Sequence, residues 1–196
     1  PSSAASDVYK RQVVKPVLSM YRFQTMGELR ALLSLYRIGT EEVEGTHGGR
    51  SYRGLVYTAL EGNGEKAPVP PLKASRLGGD ASLKKIGRVM ERSAEIIQTA
   101  GLHKHTLQRV QEAMQDTTTE EALRERLKTY HIALYLRRSV TGRITGVTFI
   151  DHETRCVLNG SQLGKKYSAN ALNEWLVNKI QEQEKHKQKR QKRSVG

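Results

Sequence analysis

The chain has 196 residues, of which 33 are Lys or Arg and 20 are Asp or Glu, so its formal net charge at pH 7 is +13. No apolar run approaches the roughly 20 residues that a membrane-spanning helix needs, so we expect no membrane contact. The single cysteine, Cys156, excludes a disulfide within the chain and favours a reducing cytoplasm. The excess of positive charge favours a polyanionic partner, most often nucleic acid.

The chain begins with PSSAASDVYKRQ (residues 1–12), which resembles translated adapter sequence and is expected to be a non-native leader. Residues 13–24 carry apolar side chains at helical spacing and predict a helix. Thr25 with Glu28 fits a capping box that begins the next helix.

The first predicted unit spans residues 25–100. After its opening helix, residues 52–60 predict the middle one of its three strands. The third strand of this unit would carry Pro68, Pro70 and Pro71, so it must be an edge strand or merely extended chain. A closing helix is predicted from near Ala81.

A helical linker, residues 101–117, leads to the second predicted unit, residues 118–183. This unit follows the order helix, three strands, helix, with a hairpin turn near Val140 and a closing helix from about Ala169. Residues 184–196 combine many cations with almost no apolar residues and predict a disordered basic tail.

The two units match each other in sequence along three blocks that occur in the same order. The matched blocks are TMGELRALLSLYRI (25–38) with TEEALRERLKTYHI (119–132), GLVYT (54–58) with GVTFI (146–150), and KASRLGGDAS (73–82) with NGSQLGKKYS (159–168). We interpret the matches as a tandem duplication. The predicted fold class is therefore α+β, a tandem repeat of two small α-β-β-β-α units with a helical linker and a disordered tail.

The candidate nucleic-acid contacts are basic or polar residues of the hairpins, the third matched blocks, the helices that follow and the tail. Both third blocks place a glycine at a helix entrance, where free N–H groups and the helix dipole can hold a phosphate, although glycine there can also serve the turn alone. The predicted contacts are Arg50, Arg53, Arg76, Lys84, Lys85, Arg88, Arg137, Arg138, Arg143, Ser161, Gln162, Lys165, Lys166, Lys185, Lys187, Lys189, Arg190, Lys192 and Arg193.

No catalytic, metal-binding or cofactor-binding set is predicted for this chain. His103 and His105 lie in a helical pattern, where residues two apart diverge by about 200°, which spoils chelation. His152 beside Asp151 looks like a base with its orienting acid, but no partnering nucleophile is evident; with Glu153 these residues could instead bind a cation weakly. From its residues alone the chain is a binding module and not an enzyme.

Four segments resemble the C-terminal half of bacterial mobilisation relaxases, which are frequent in Bacteroides-type elements and nick and transfer plasmid or integrative-element DNA. They are YRFQTMGELRALLSLYRI, YRGLVYTAL, KASRLG and GRITGVTFIDHETRCVLNGSQLGKKYSANALNEW. The similarity covers about residues 13–178, and the last segment is the most specific.

The resemblance implies a nuclease domain upstream, with a tyrosine nucleophile and a divalent metal held by a His-hydrophobic-His motif. His103-Lys104-His105 does not match that motif, and no tyrosine of this chain can be assigned the nucleophile, so no catalytic role is carried over. Residues 13–24 would then be the remnant helix after the nuclease domain.

The function that the resemblance implies is DNA binding near the transfer origin, in the bacterial cytoplasm. A protein-interaction module that docks a relaxase to mobilisation accessory or coupling proteins is the main alternative, and a metal-dependent nuclease hidden in these residues is a weaker one. The α-β-β-β-α order also recurs in double-stranded-RNA readers, which is an analogy of fold alone.

Overall fold

A computed structural model of the chain describes residues 3–194. Within these residues the fold is α+β, with seven helices and two three-stranded antiparallel sheets, as the sequence predicts for the class. The chain divides into two compact units. The first runs through Ala100 and includes Arg155–Val157, and the second contains Gly101–Thr154 and the residues from Leu158 onward.

The first unit contains three helices and one sheet of strand order β1-β2-β3. Its elements are α1 (Ser3–Met20), α2 (Met26–Ser34), β1 (Ile38–His47), β2 (Arg50–Ala59), β3 (Leu72–Lys73) and α3 (Leu83–Ala100). The third strand has only two residues and pairs with β2 alone. This agrees with the edge position predicted from the prolines that precede it.

The expected leader segment is part of helix α1 from Ser3 onward. Lys10 in this segment is fully buried, with its Nζ 3.5 Å from Asp7 Oδ1 and donating to the carbonyl oxygen of Pro70 at 3.3 Å. The segment therefore packs into the first unit, although the sequence analysis set it apart from the fold. The predicted helix over 13–24 ends at Met20.

From Leu102 onward the chain forms four helices and the second sheet, of order β4-β5-β6. The elements are α4 (Leu102–Asp116), α5 (Glu120–Thr129), β4 (Ile132–Arg138), β5 (Ile144–Asp151), β6 (Cys156–Asn159), α6 (Gly160–Leu163) and α7 (Ala169–Ser194). Helix α4 occupies the predicted linker, yet it belongs to the second unit and buries Thr106, Val110 and Ala113. Its apolar spacing gives it a core face, so it is more than a connector.

Helices α2 and α5 begin with the same threonine cap. The Thr25 hydroxyl accepts from the N–H of Glu28 at 3.1 Å, and the Thr119 hydroxyl accepts from the N–H of Ala122 at 3.1 Å. Gln24 N–H, one residue before the cap, donates to the Glu28 carboxylate at 2.8 Å, so Glu28 reaches back over the start of α2 as the predicted capping box expects of it.

One arginine in each of these helices fixes the strand that follows. Arg30 Nε donates to the carbonyl oxygen of Thr40 at 3.3 Å, and Arg124 Nη1 donates to the carbonyl oxygen of Leu134. In both cases the acceptor lies ten residues after the arginine. The two contacts hold α2 to β1 and α5 to β4 in the same way.

The reversal between helix and strand also has the same backbone geometry in both units. Arg37 and His131, each directly before the first strand, have φ values of 56° and 57°. Their carbonyl oxygens accept from the N–H groups of Leu60 at 2.8 Å and His152 at 2.9 Å. These bonds close the base of each hairpin.

The central strand of each sheet is buried on both faces near its base. In β2 the consecutive residues Leu55–Thr58 are all buried, and in β5 the same holds for Val147–Asp151. Because successive side chains point to opposite faces, neither face is open there. Along these runs neither sheet face is available to a partner, so the candidate contacts of the sheets are confined to the hairpins.

The C-terminal segment is helical where the sequence analysis predicted disorder. Helix α7 continues without a break from Ala169 to Ser194, and residues 184–194 are all exposed. Residues 195–196 of the predicted tail lie outside the described residues. Lys, Arg, Gln and Glu are good helix formers, so the backbone can stay helical without a buried face.

None of the helices described within residues 3–194 has the length and apolar character to cross a membrane.

Gly160 and Gly87 offer a matched test of how closely the backbone packs around a glycine. A Cβ at Gly160 would lie 1.8 Å from the carbonyl oxygen of Tyr167, whereas one at Gly87 in α3 meets nothing within 4 Å. We expect Gly160→Ala to lower the free energy of unfolding by about 3 kcal/mol or more, because backbone must move. Gly87→Ala should raise it by about 0.5–1 kcal/mol, as expected for a helix interior.

Chemical denaturation of both variants measures the two effects. If Gly160→Ala were as stable as the parent chain, this result would contradict the close approach of the Tyr167 carbonyl oxygen to Gly160.

Candidate nucleic-acid interface

All nineteen predicted contact residues are exposed. They fall into four groups: the first hairpin (β1–β2), the second hairpin (β4–β5), the two helix entrances before α3 and α7, and the C-terminal part of α7. The groups differ in how many acidic partners surround each cation, and this decides which cations are available to a polyanion.

The first hairpin is not a basic surface. The Arg53 guanidinium lies 2.7 Å from Glu42 Oε2 and 3.2 Å from Glu44 Oε1, both on the neighbouring strand. Glu41 on the same strand pairs with Lys66 at 2.6 Å. Arg53 is thus occupied within its own hairpin, and the contact role predicted for it has little geometric support. Arg50 stands at the turn, opposite His47.

The arginines of the second hairpin are held in place by their neighbours. Arg138 Nη2 lies 2.5 Å from Glu120 Oε2, and this hydrogen bond holds the pKa of that carboxyl below its usual value. Arg137 Nε donates to the Thr145 hydroxyl at 3.2 Å. Because this acceptor is neutral, and Arg137 forms no ion pair within residues 3–194, the charge of Arg137 is not compensated.

Arg143, at the end of the same turn, connects the hairpin to helix α7. Its Nη2 donates to Asn170 Oδ1 at 2.9 Å. The Asn173 side chain bonds both to the N–H of Ile144 at 3.1 Å and to its carbonyl oxygen at 2.9 Å. The second hairpin therefore presents Arg143 at the start of α7, which directly follows the turn that carries Lys165 and Lys166.

The helix entrance before α3 is a glycine turn closed by a serine. Gly78 has φ 96° and ψ 170°, a conformation that side-chain-bearing residues rarely adopt. The Ser82 hydroxyl accepts from the N–H of Lys85 at 3.3 Å, within the first turn of α3. Lys84 and Lys85 are both exposed there, and Lys85 is 3.9 Å from Asp80.

The helix entrance before α7 repeats this geometry. Gly164 has φ 141° and ψ 167°, and the Ser168 hydroxyl accepts from the N–H of Ala171 at 3.3 Å. Lys165 and Lys166 lie exposed in the short 3-10 turn between that glycine and serine. A lysine pair thus stands at the N-terminal end of α3 and of α7.

The remaining predicted residues near these entrances are exposed on the turns and on α3. Arg76 ends the short 3-10 turn before Gly78, and Arg88 lies one turn into α3. Ser161 and Gln162 are on the short helix α6. Their side chains reach solvent, so they could extend a phosphate contact made at either entrance.

The six cations of the predicted tail project from the last three turns of α7. They are Lys185, Lys187, Lys189, Arg190, Lys192 and Arg193. All are exposed. Within the described part of the chain none of them forms an ion pair, so this segment holds the densest uncompensated charge.

The buried carboxylate of Asp151, which the sequence suggested as an orienting acid for His152, contacts His105 and Thr106. Asp151 Oδ2 lies 2.9 Å from His105 Nδ1 and accepts from the Thr106 hydroxyl at 2.7 Å. Asp151 Oδ1 accepts from the N–H groups of Glu153 at 3.0 Å and of Thr154 at 3.2 Å. Nothing in the sequence pattern connects residues 46 positions apart, so this contact was missed.

The cluster holds α4 to the end of β5 and is not arranged as a base with a nucleophile. His105 Nε2 lies 3.0 Å from Glu153 Oε2, so both ring nitrogens contact a carboxylate. Burial raises the pKa of Asp151, but the hydrogen bonds from Thr106, His105 and Thr154 outweigh it, and the net pKa is lowered. Its geometry is that of a structural anchor.

Over residues 3–194, His, Cys, Asp and Glu side chains form no group of three or more placed to hold a metal ion. No protein-family model matches the chain, and comparison with curated proteins and with solved structures finds no match either.

The Asp151 anchor predicts acid sensitivity. Because the folded-state pKa is lowered, the stabilisation is complete above the carboxyl's ordinary pKa of about 3.9 and is lost as the pH falls below it. Asp151→Asn should lower the free energy of unfolding near neutral pH by about 1–3 kcal/mol, since an amide cannot accept the same four hydrogen bonds.

Denaturant unfolding of both proteins across the acid range tests this prediction. The difference in free energy of unfolding between the parent and Asp151→Asn should become smaller below about pH 4, where Asp151 becomes protonated in the parent. Asp116→Asn is the matched control, because Asp116 is an exposed residue paired with Arg126 at 3.1 Å. A gap that is constant down to the lowest pH would contradict the anchor.

Proposed function

We propose that this chain is the DNA-binding C-terminal portion of a conjugative-mobilisation relaxase, where it helps hold transfer-origin DNA for nicking by a nuclease domain of the same protein. The observation that carries the proposal is the lysine pair at each helix entrance, Lys84 with Lys85 and Lys165 with Lys166. The relaxase-like sequence over residues 13–178 supports the family, and the bacterial cytoplasm is the proposed place of action.

We further propose that residues 25–100 and 118–183 are tandem copies of one α-β-β-β-α unit. The shared threonine caps, arginine-to-carbonyl contacts, left-handed corner residues and glycine-serine turns support this origin. The third strand is shortest in the first copy, and Tyr36 and Tyr130 are both half-buried at matching positions.

Each helix entrance is suited to a phosphate. Backbone N–H groups of the first helical turn point toward the entrance, the dipole there is positive, and two lysines add full charges. Neither α3 nor α7 carries an acidic residue in its first turn, and the acid nearest the α3 entrance is Asp80, 3.9 Å from Lys85. Contacts of this kind position a duplex or a single strand without reading its bases.

Two tethered units of this kind hold DNA better than either could alone. Once one unit is bound, the second binds intramolecularly, at an effective concentration set by the tether, and overall affinity rises without new contacts. The basic end of α7 adds charge that attracts DNA over a Debye length of about 8–10 Å.

The lysine pairs provide the test. Lys165→Ala with Lys166→Ala should weaken binding of transfer-origin and scrambled DNA by about the same factor, because phosphate contacts carry no base information. For duplex DNA, the slope of log affinity against log salt should fall by roughly 0.9 for each lost contact. Lys84→Ala with Lys85→Ala should act in the same direction.

Arg53→Ala is the matched control, because Arg53 already pairs with Glu42 and Glu44 and its loss should leave DNA affinity nearly unchanged. Fluorescence anisotropy at two salt concentrations measures all three variants. If both lysine-pair variants bind DNA as tightly as the parent, the proposal is wrong and the docking of accessory or coupling proteins becomes the better account.

We also propose that this chain does not itself cleave DNA. The full chain should therefore leave supercoiled transfer-origin plasmid intact with or without Mg²⁺ or Mn²⁺, as judged by gel electrophoresis. Metal-dependent nicking that disappears in His103→Ala or His105→Ala would overturn this expectation.

A further inference from the structure

We infer that the C-terminal three turns of α7, residues 184–194, form a recognition helix that enters the major groove of duplex DNA. This inference rests on the proposed DNA-binding function and goes beyond it in naming the form of the DNA, the groove and the element that enters it. It replaces the predicted disordered basic tail with a helical one.

The segment is a free-standing helix. The last side chain of α7 with a hydrogen bond to another element is Gln183, whose Nε2 donates to the Thr118 hydroxyl at 2.8 Å. Beyond it, over residues 184–194, the only side-chain bond is local, from the Ser194 hydroxyl to the carbonyl oxygen of Gln191. Eleven residues extend about 16 Å, enough to lie within a groove.

The cations surround this helix over more than half of its circumference. With 100° per residue, the arc from Lys192 through Lys185, Lys189 and Arg193 to Lys187 spans roughly 220°. A helix that rests on a flat anionic surface needs cations on one side only. A helix inside a groove has a phosphate backbone on both flanks, which is what an arc of this width fits.

The order of residue types within the arc supports the same placement. Arg193 lies near its centre, Arg190 and Lys189 lie about 50° to either side of the centre, and Lys187 and Lys192 lie at its two edges. Arginine makes bidentate contacts with guanine O6 and N7 on the floor of the major groove, and lysine is a flexible point charge suited to phosphates. The remaining strip of the helix carries Glu184, Gln188 and Gln191 and would face away from the DNA.

Like charges repel one another along the isolated helix, and DNA phosphates would relieve this repulsion. Lys185 with Lys189, and Lys189 with Arg193, are like-charged pairs at i,i+4, which destabilise a helix. No acid follows Glu184 to offset them. Phosphates on both sides of the segment would turn this repulsion into attraction.

Duplex DNA fits better than duplex RNA. The DNA major groove is about 12 Å wide and admits an α-helix, whereas the major groove of A-form RNA is too narrow for side chains to read. Single strands offer no groove at all. The occupant is therefore B-form DNA.

The experiment compares three nucleic acids and two variants of the full chain. The probes are a short mixed-sequence DNA duplex, the same duplex with glucosylated 5-hydroxymethylcytosine, and a duplex RNA of equal length. The glucose groups fill the major groove without altering the phosphate charge. Gln188→Pro interrupts the segment while retaining every cation, and Gln188→Ala is the helix-preserving control.

The parent chain and Gln188→Ala should bind plain duplex DNA at least roughly tenfold more tightly than either the glucosylated duplex or the RNA. Gln188→Pro should bind plain duplex more weakly and should lose this preference. Equal binding of plain and glucosylated duplex by the parent, equal binding of the RNA, or a preference that survives in Gln188→Pro would each overturn the inference.

The outcomes also separate this inference from the proposed function. DNA binding that depends on the lysine pairs but ignores the major-groove block would overturn the recognition helix alone. Absence of DNA binding by the parent chain at low salt would overturn both.

Discussion

Repulsion among excess cations is the constraint on which the arrangement of this molecule depends. With 33 basic and 20 acidic residues, the fold can neutralise only part of its positive charge. The acids are concentrated at particular places, such as Glu42 and Glu44 in the first hairpin and Glu120 beside the second. Among the described residues, the exposed cations with the fewest acidic partners include Lys84, Lys165 and Lys166 at the helix entrances and those at the end of α7, whereas Lys85 lies 3.9 Å from Asp80.

This distribution changes how the basic residues should be interpreted. In the sequence, Arg53 and Lys165 are equivalent candidates, because both are cations in polar segments. In the structure Arg53 has two carboxylates within 3.2 Å, whereas Lys165 projects from a turn beside a helix N-terminus. Composition alone therefore does not show which cations are available to a polyanion; the positions of the acids do.

Sequence reasoning succeeded where the determinants are local. The Thr25 cap, the hairpin after β4 and the short edge strand after the prolines each depend on a few adjacent residues and were predicted. It did not find the contact between Asp151 and His105, because the two residues are 46 positions apart and meet only in the folded chain, where His105 of α4 reaches the end of β5. It also predicted disorder after residue 183 from the lack of apolar residues, although good helix formers can continue a helix that has already been nucleated.

The helix entrances show why stability alone is a poor explanation for their residues. Negative side chains near a helix N-terminus typically stabilise it by about 0.3–1 kcal/mol, and positive ones act in the opposite sense. A position under selection only for stability would favour Asp or Glu at Lys84 and Lys85. Both entrances instead combine a positive-φ glycine, a serine cap and two exposed lysines, so each keeps a local excess of positive potential. An anion bound at either entrance would offset that penalty there.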